Sequence, residues 1–308
     1  MLRTISKVKK FYLSLVICLI LIVLSTHSVM KASPMRLVIV GSTTILPLSE
    51  HLATDYKKKV GVDVLVQGGG SSAGPIALKN NVAQIAASSR EFTGSEKENL
   101  DVFVIAHDVL AVVVHPSNPV KNISMEQLKG ILSGEIKDWK ELGAPFSKPI
   151  QLINDSSGNG TRAAIEELVM GRSKARGIQG TPITLMSIVT NSSSEMKANI
   201  ASFKYSIGYL PFNYLDYSVK PIRINNAPPT YAAAYKGNYP LFRELYYGIK
   251  KDSKDLELAY IYYVLSPEGQ DIVVKEGFLP IKLITSVEEL DRIKQGGSLE
   301  NKKEKKQI

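Results

Sequence analysis

Runs of β-branched and aliphatic residues alternate with segments of helical spacing along most of this chain. Arg36, Leu37, Val38, Ile39 and Val40 form a strand pattern that stops at Gly41. Over residues 47–59, Leu48, Leu52 and Tyr56 recur four apart and so share one helix face. Residues 62–66 predict a second strand, ended by Gly68, Gly69 and Gly70. Ser71 and Ser72 then take capping positions, and Pro75 lies in the first turn of the helix that follows. Residues 84–88, 102–105 and 110–115 predict three more strands. The alternation predicts an α/β fold with a largely parallel sheet.

A second unit begins near Pro116. Ser124 and Gln127 have capping-box spacing and open a helix that runs to Leu132. Residues 150–153 predict a strand leading into a polar turn at 155–161 and a helix to Met170. Residues 193–202 predict a helix and 205–210 a strand. Pro228 and Pro229 interrupt the chain before the segment 241–249. Two helices are predicted after it, over 254–265 and from Pro267 to a stop at Gly277.

Charge and hydropathy separate the ends from this body. Arg3, Lys7, Lys9 and Lys10 precede 14 residues, 11–24, that are apolar except for Ser14. That run is shorter than the ~20 residues a helix needs to cross a bilayer. Small polar residues follow it, so residues 1–33 are expected to be an export signal or an uncleaved membrane tether. Cys18 is the only cysteine, which excludes an internal disulfide framework. The net charge of +9 points to nucleic acid until it is mapped. The four basic residues supply +4, and residues 294–308, with five Lys against Glu300 and Glu304, supply +3. The remaining +2 says little about partners, so no nucleic acid is expected. The last 15 residues read as a disordered basic tail.

The chemistry lies in glycine- and hydroxyl-rich turns between strands and helices. They are Gly41, Ser42, Thr43 and Thr44, then the stretch 68–74, then Gly158, Asn159, Gly160 and Thr161. Ser88, Ser89 and Arg90 make a fourth polar strand end. A helix N-terminus presents unpaired N–H groups and the positive end of a dipole, and so accepts an anion. Glycine lets the backbone come close, and Ser or Thr adds a hydroxyl donor. One such turn is ordinary capping. Four at strand ends in one α/β chain point to an oxyanion held mainly by neutral dipoles.

Other motifs compete. Residues 68–73 match G-x-G-x-x-A, but Arg90 stands twenty positions past Gly70, where a dinucleotide fold wants an acid. Residues 70–74 match G-x-S-x-G, and Ser72, Asp101 or Asp108, and His115 follow in nucleophile-elbow order. A secreted serine hydrolase using Ser72 and His115 is therefore the alternative from a different class. His115, just before Pro116, also reads as an ordinary strand-end histidine. The four histidines lack metal-site spacing, and no metal or cofactor is expected.

The stretches GSTTILP (41–47), GGGSSAGPIAL (68–78), AASSREF (86–92), QLKGILSGEIKDW (127–139), SGNGTRAAIEEL (157–168) and SPEGQDIVVKEGFLPI (266–281) occur in order. Together they resemble the phosphate-binding receptors of phosphate ABC transporters, the PstS family. The resemblance implies a two-lobed type II periplasmic binding protein fold with the ligand cleft between lobes. It implies lobe one at 34–114 plus 225–293 and lobe two at 115–224. It also implies a monomeric, non-enzymatic receptor in the periplasm or on the outer face of the cytoplasmic membrane. Such a receptor captures inorganic phosphate and delivers it to the membrane permease subunits of an ABC transporter. Carried over residue by residue, the anion is held by Thr43, Thr44, Ser71, Ser89 and Arg90 and, from lobe two, by Asn159, Gly160 and Thr161.

The departures from the family pattern are specific. Asp155 stands where the family usually has Arg, Asn159 replaces the middle Ser of its turn, and Gln84 replaces an Asp often found in the third strand. One branch of the family carries a proton-accepting Asp in the third turn, where this chain has Ser89 and Arg90. Acceptor and cation are therefore expected to be exchanged between lobes. Arg90 would supply the positive charge, while Asp155 accepts the proton of bound hydrogen phosphate and pairs with Arg90. Sulfate has no such proton, and its charge would face the carboxylate unpaired. Two alternatives stay open: Asp155 caps the 157–161 turn outside the cleft, or the ligand is another oxyanion or a small phosphorylated molecule. Arg162 is expected to be a solvated or cleft-rim helix residue.

Overall fold

Strands buried on both faces need helices on either side of the sheet, and the chain supplies them in alternation. The computed structural model describes residues 36–281; the expected export signal and basic tail lie outside the described residues. β1 (Arg36–Gly41), α1 (Leu46–Val60), β2 (Asp63–Gly68), α2 (Ala73–Lys79) and β3 (Ile85–Ser88) wind as the spacing predicts, and β1 pairs in parallel with both β2 and β3. α3 (Gly94–Lys97) leads to β4 (Leu100–Val114). The middle of the chain contains β5 (Asn122–Ile123), α4 (Met125–Ser133), β6 (Gln151–Asp155), α5 (Gly160–Leu168), β7 (Ile188–Thr190), α6 (Ser193–Ser202) and β8 (Ser206–Pro211). Then come β9 (Lys220–Pro221), β10 (Arg223–Ile224), α7 (Tyr231–Tyr235), β11 (Phe242–Lys250), α8 (Asp255–Leu265) and α9 (Pro267–Lys275).

The strand order is β2-β1-β3-β11-β4-β8-β6-β7, with β9 on β4 and β5–β10 as a separate parallel pair. Two expectations are corrected. The sheet is mixed rather than largely parallel. Its flanks, β2-β1-β3 and β8-β6-β7, are parallel, but β3-β11, β11-β4 and β4-β8 are antiparallel. The chain leaves along β4 and returns along β11, so these strands oppose each other. Residues 102–105 and 110–115 are not separate strands either; 15-residue β4 runs through them without a break. The interrupting His107 and Asp108 look like loop residues in sequence. In the ladder they stand opposite Glu244 and Arg243.

Capping sets the helix ends. Ser124 Oγ accepts from the Gln127 amide at 3.0 Å, Gln127 Oε1 accepts from the Ser124 amide at 2.8 Å, and left-handed Gly134 closes α4. Two large cores divide the chain. One gathers Leu37, Leu52 and Ile105 with Leu245, Tyr247 and Tyr260. The other gathers residues from Val109 to Leu241, including Trp139, Ile153 and Tyr209. Fully burying one such aliphatic or aromatic side chain is worth roughly 1.5–3 kcal/mol, so each core is a substantial unit. The chain passes between them at 106–109 and again at 241–245.

Candidate anion site

Glycine starts the construction. Gly41 ends β1 at φ +148°, and a Cβ there would lie 2.0 Å from the Ala87 carbonyl oxygen. Only a residue without a side chain lets the backbone turn so close to β3. The Ser42 amide then donates to Ala87 O at 2.9 Å. Ser42 Oγ accepts from the Thr44 amide at 3.2 Å and donates to Ser89 Oγ at 2.9 Å. Ser71 Oγ accepts from the Ser89 amide at 3.0 Å and lies 3.3 Å from Ser89 Oγ. Ser72 begins α2 without a side-chain cap.

The second core meets these turns directly. Asn159 Oδ1 caps α5 by accepting from the Thr161 amide at 2.7 Å, and Thr161 Oγ1 lies 3.0 Å from Thr44 Oγ1. An added Cβ on Gly160 would come within 2.2 Å of Ser71 Oγ and 2.4 Å of Ser89 Oγ. The Ser72 amide donates to Gly158 O at 3.3 Å, and Tyr214 Oη donates to Thr43 O at 3.0 Å. Five hydroxyls, from Ser42, Thr44, Ser71, Ser89 and Thr161, thus converge, each no more than 3 % exposed. Burying so many polar groups is costly unless they are paired, and here they pair mainly with one another. Thr43 is half-buried and joins the cluster through its carbonyl.

The cation is not the one expected. Arg90 turns its guanidinium away from the hydroxyls, donating to both Glu96 carboxylate oxygens at 2.8 and 2.9 Å, to Glu91 O at 2.7 Å and to Ser72 Oγ at 3.2 Å. Burial would raise the Glu96 carboxyl, but Arg90 and the Thr93 amide outweigh it and hold that carboxyl below its ordinary value. A bidentate carboxylate six residues away captures a flexible side chain before a distant site can. Arg243 on β11 takes the place at the cluster. Its Nη2 donates to Thr44 Oγ1 at 3.3 Å, and its Nη1 to Ser89 O at 3.2 Å. Its Nε and Nη2 hold Asp108 Oδ2 at 3.0 and 2.8 Å. Burial raises the Asp108 carboxyl and lowers the Arg243 guanidinium from their ordinary values, each opposed by the charge of its partner. Sequence reasoning missed Arg243. The available signal was one Arg in a strand that also carries Leu245, Tyr246, Tyr247 and Ile249, matched by Asp108 in the middle of a largely apolar run. Opposite charges in two buried strands have to find each other.

Asp155 ends β6 at 1 % exposure, and its Oδ1 accepts from Thr190 Oγ1 at 2.9 Å. It does not cap the turn; Asn159 does. Burial pushes its carboxyl up to about 7, while the Thr190 hydroxyl, Arg243 and Arg162 pull the other way. Its electrostatic partners are therefore Arg243 and Arg162, and the pairing with Arg90 is corrected. Arg162 folds back on its own helix, donating to Glu166 at 3.0 Å and to Asp155 O at 2.9 Å. The raised carboxyl has a consequence for stability. Between its ordinary 3.8 and about 7, the folded chain keeps a proton that the unfolded chain has released. Rising pH therefore favours unfolding across that window, by up to about 1.4 kcal/mol per pH unit. Along this pH range Asp155 is expected to contribute a fall in the denaturation midpoint of the native protein. In Asp155→Asn this part of the slope disappears; an unchanged slope would contradict the assignment.

The hydrolase pair is not assembled. Ser72 Oγ accepts from Arg90, and half-buried His115 bonds Ser117 Oγ through Nδ1 at 2.8 Å. Among the described residues no cluster of His, Cys, Asp and Glu could hold a metal, and no helix is long and apolar enough to cross a membrane. A surface cavity of about 820 Å³ lies beside Ser72, Lys79 and Lys251 rather than at the hydroxyl cluster.

Known proteins share this arrangement of elements. A family model described as a PBP superfamily domain matches residues 28–268. The chain is 30 % identical to the phosphate-binding protein PstS of Borreliella burgdorferi, over 79 % of this chain and 88 % of that one. It is 32 % identical to PstS of Bacillus subtilis, over 80 % of each chain. A Clostridium perfringens crystal structure with bound phosphate, assigned as a phosphate ABC transporter substrate-binding protein, superposes with a TM-score of 0.74. That match has 32 % identity and covers 80 % of this chain and all of the other.

Proposed function

The chain belongs to the PBP superfamily and, within it, to the family of PstS phosphate-binding proteins; on that premise we propose that the buried hydroxyl cluster is its phosphate site. The protein captures inorganic phosphate between two lobes and delivers it to an ABC-type importer. It works as an exported monomer that docks on membrane permease subunits, without catalysis. The observation that carries this is the convergence of five buried hydroxyls and one guanidinium from turns of both cores. The lobes are taken as the two cores, which moves the boundaries expected at 114/115 and 224/225 to the crossings at 106–109 and 241–245. Closure by flexing at such crossings is a known route to trapping a ligand.

In this account Thr44, Ser71, Ser89 and Thr161 offer hydroxyls, and the α5 N-terminus, capped by Asn159, offers the Gly160 amide. Arg243 supplies the charge. Asp155 bonds the anion in either protonation state. A protonated carboxyl donates to dianionic hydrogen phosphate, and an ionised one accepts the proton which that anion carries. Sulfate has no proton to give, so above about pH 7 it meets an unpaired carboxylate. A phosphorylated small molecule fits less well, because its substituent would have to pass the Ser72–Gly158 and Tyr214–Thr43 contacts that join the cores.

Calorimetric titration of the ligand-stripped protein at about pH 6 and about pH 8 tests this. Phosphate is expected to bind with a Kd of about 1 μM or tighter, roughly −8 kcal/mol, at both pH values. Sulfate is expected to bind weakly at the lower pH and not at the higher. Absence of phosphate heat, or sulfate binding as well as phosphate at both, would defeat the proposal. Because the Arg90 guanidinium is spent on Glu96, Arg90→Gln is expected to change phosphate affinity by less than about threefold in the same titration.

A further inference from the structure

The anion's cation stands on a strand that connects the two cores, and so does the group that holds it. Asp108 and Arg243 are direct cross-strand partners in the β4–β11 ladder. Asp108 is preceded by Ala106 of one core and followed by Val109 of the other; Arg243 lies between Leu241 and Leu245, which are divided in the same way. Both side chains are buried, at 0 % and 7 % exposure. A buried ion pair is weak evidence for stability, because desolvation offsets most of the attraction, and an apolar pair of similar volume would hold the strands at least as well. The geometry suggests a different use. Asp108 Oδ2 takes two of the five guanidinium N–H groups, at 3.0 and 2.8 Å. That leaves Nη1 aimed at Ser89 O and Nη2 at Thr44 Oγ1, the two turns that also carry anion-binding hydroxyls. An arginine side chain in solution has several free torsions, and a fixed fork loses less on binding than a mobile one.

We propose that Asp108 is a positioning residue for phosphate capture, accepting from Arg243 so that the guanidinium is already set between the Ser89 and Thr44 turns before the second core closes. The pair spans a single ladder rung at the crossing, so it moves as one unit with the first core's turns. Asp108 touches none of the anion-binding hydroxyls and acts only through Arg243. This inference rests on the phosphate site proposed above.

The test compares Asp108→Asn with Asp108→Ala in phosphate calorimetry, alongside thermal melts. Asparagine keeps an acceptor oxygen for the guanidinium, so its phosphate affinity is expected to stay within about threefold of native, whatever its melting temperature does. Alanine removes the acceptor and is expected to weaken phosphate by about tenfold or more. A merely structural role would lower the melting temperature of both and separate their affinities in neither. Alanine that binds like native protein, or asparagine that loses as much as alanine, overturns the proposal. If Asp108→Ala does not fold, the comparison moves to Arg243→Met with and without Asp108→Ala, the double variant leaving no lone buried charge. Acting only through Arg243, the second change is expected to leave phosphate affinity unaltered, and a further loss of about fivefold or more overturns the proposal. Native protein is titrated in parallel. If it binds no phosphate, the site itself was misassigned; if it binds but the asparagine–alanine difference is missing, only the role of Asp108 fails.

Discussion

Arg243→Gln is expected to weaken phosphate binding about a hundredfold or more, a loss of roughly 2.8 kcal/mol. Two separate losses follow, one of affinity and one of stability. The site loses its one guanidinium among neutral hydroxyls, and charge-assisted hydrogen bonds are worth about 1.5–3 kcal/mol each. Asp108 is also left buried without its partner, which for a broken buried pair costs about 3–5 kcal/mol of stability. Burial already raises the Asp108 carboxyl, so it will respond by taking up a proton, and part of that stability is recovered as pH falls. Arg243→Lys keeps the charge but loses the fork that spans Asp108, Ser89 and Thr44, and is expected to fall between native and Gln. Calorimetry on the three proteins, with a melt of each, checks the order. Equal phosphate affinity in native and Gln forms would remove Arg243 from the site.

Gly160→Ala is expected to produce a loss of similar size by a different route. The new methyl would sit 2.2 and 2.4 Å from the Ser71 and Ser89 hydroxyl oxygens and 3.0 Å from Ser71 Cβ, all belonging to the other core. Those serines cannot rotate away cheaply, since Ser71 Oγ accepts from the Ser89 amide and Ser89 Oγ from Ser42. Alanine suits the first turn of α5 as well as glycine does or better, so the isolated core gains slightly in helix propensity. Phosphate affinity is therefore expected to fall about a hundredfold or more while the melting temperature without ligand stays near native. A variant that binds phosphate like native protein would mean that the α5 N-terminus does not close against the first core's turns.

Local chemistry made much of this legible. The strands at β1, β2 and β3, the capping box of α4 and the polar turns at 41–44, 68–74 and 158–161 follow from spacing and residue type, which act over a few residues. Ser71, Ser89 and Thr161 could be placed at strand and helix ends for the same reason. What escaped depended on pairing over long separations. β4 continues through His107 and Asp108 only because Glu244 and Arg243, some 135 residues later, stand opposite them. The antiparallel centre of the sheet follows from the return path of the chain, which hydrophobic period alone does not encode. Arg90 was a candidate by its position after the third strand, yet a long side chain goes where its strongest partner lies. Glu96, already tied to the Thr93 amide at 2.7 Å, was close enough to claim it. Arg243 had no glycine or hydroxyl neighbour in sequence to mark it, and its role follows from a rung of the sheet.

The most direct test of the whole account is a crystal structure of the protein with phosphate bound. The account predicts the anion among the hydroxyls of Thr44, Ser71, Ser89 and Thr161, within hydrogen-bond reach of the Arg243 guanidinium and the Gly160 amide, with Asp155 hydrogen-bonded to it. Phosphate found on Arg90, or in the cavity beside Ser72 and Lys79, would contradict it.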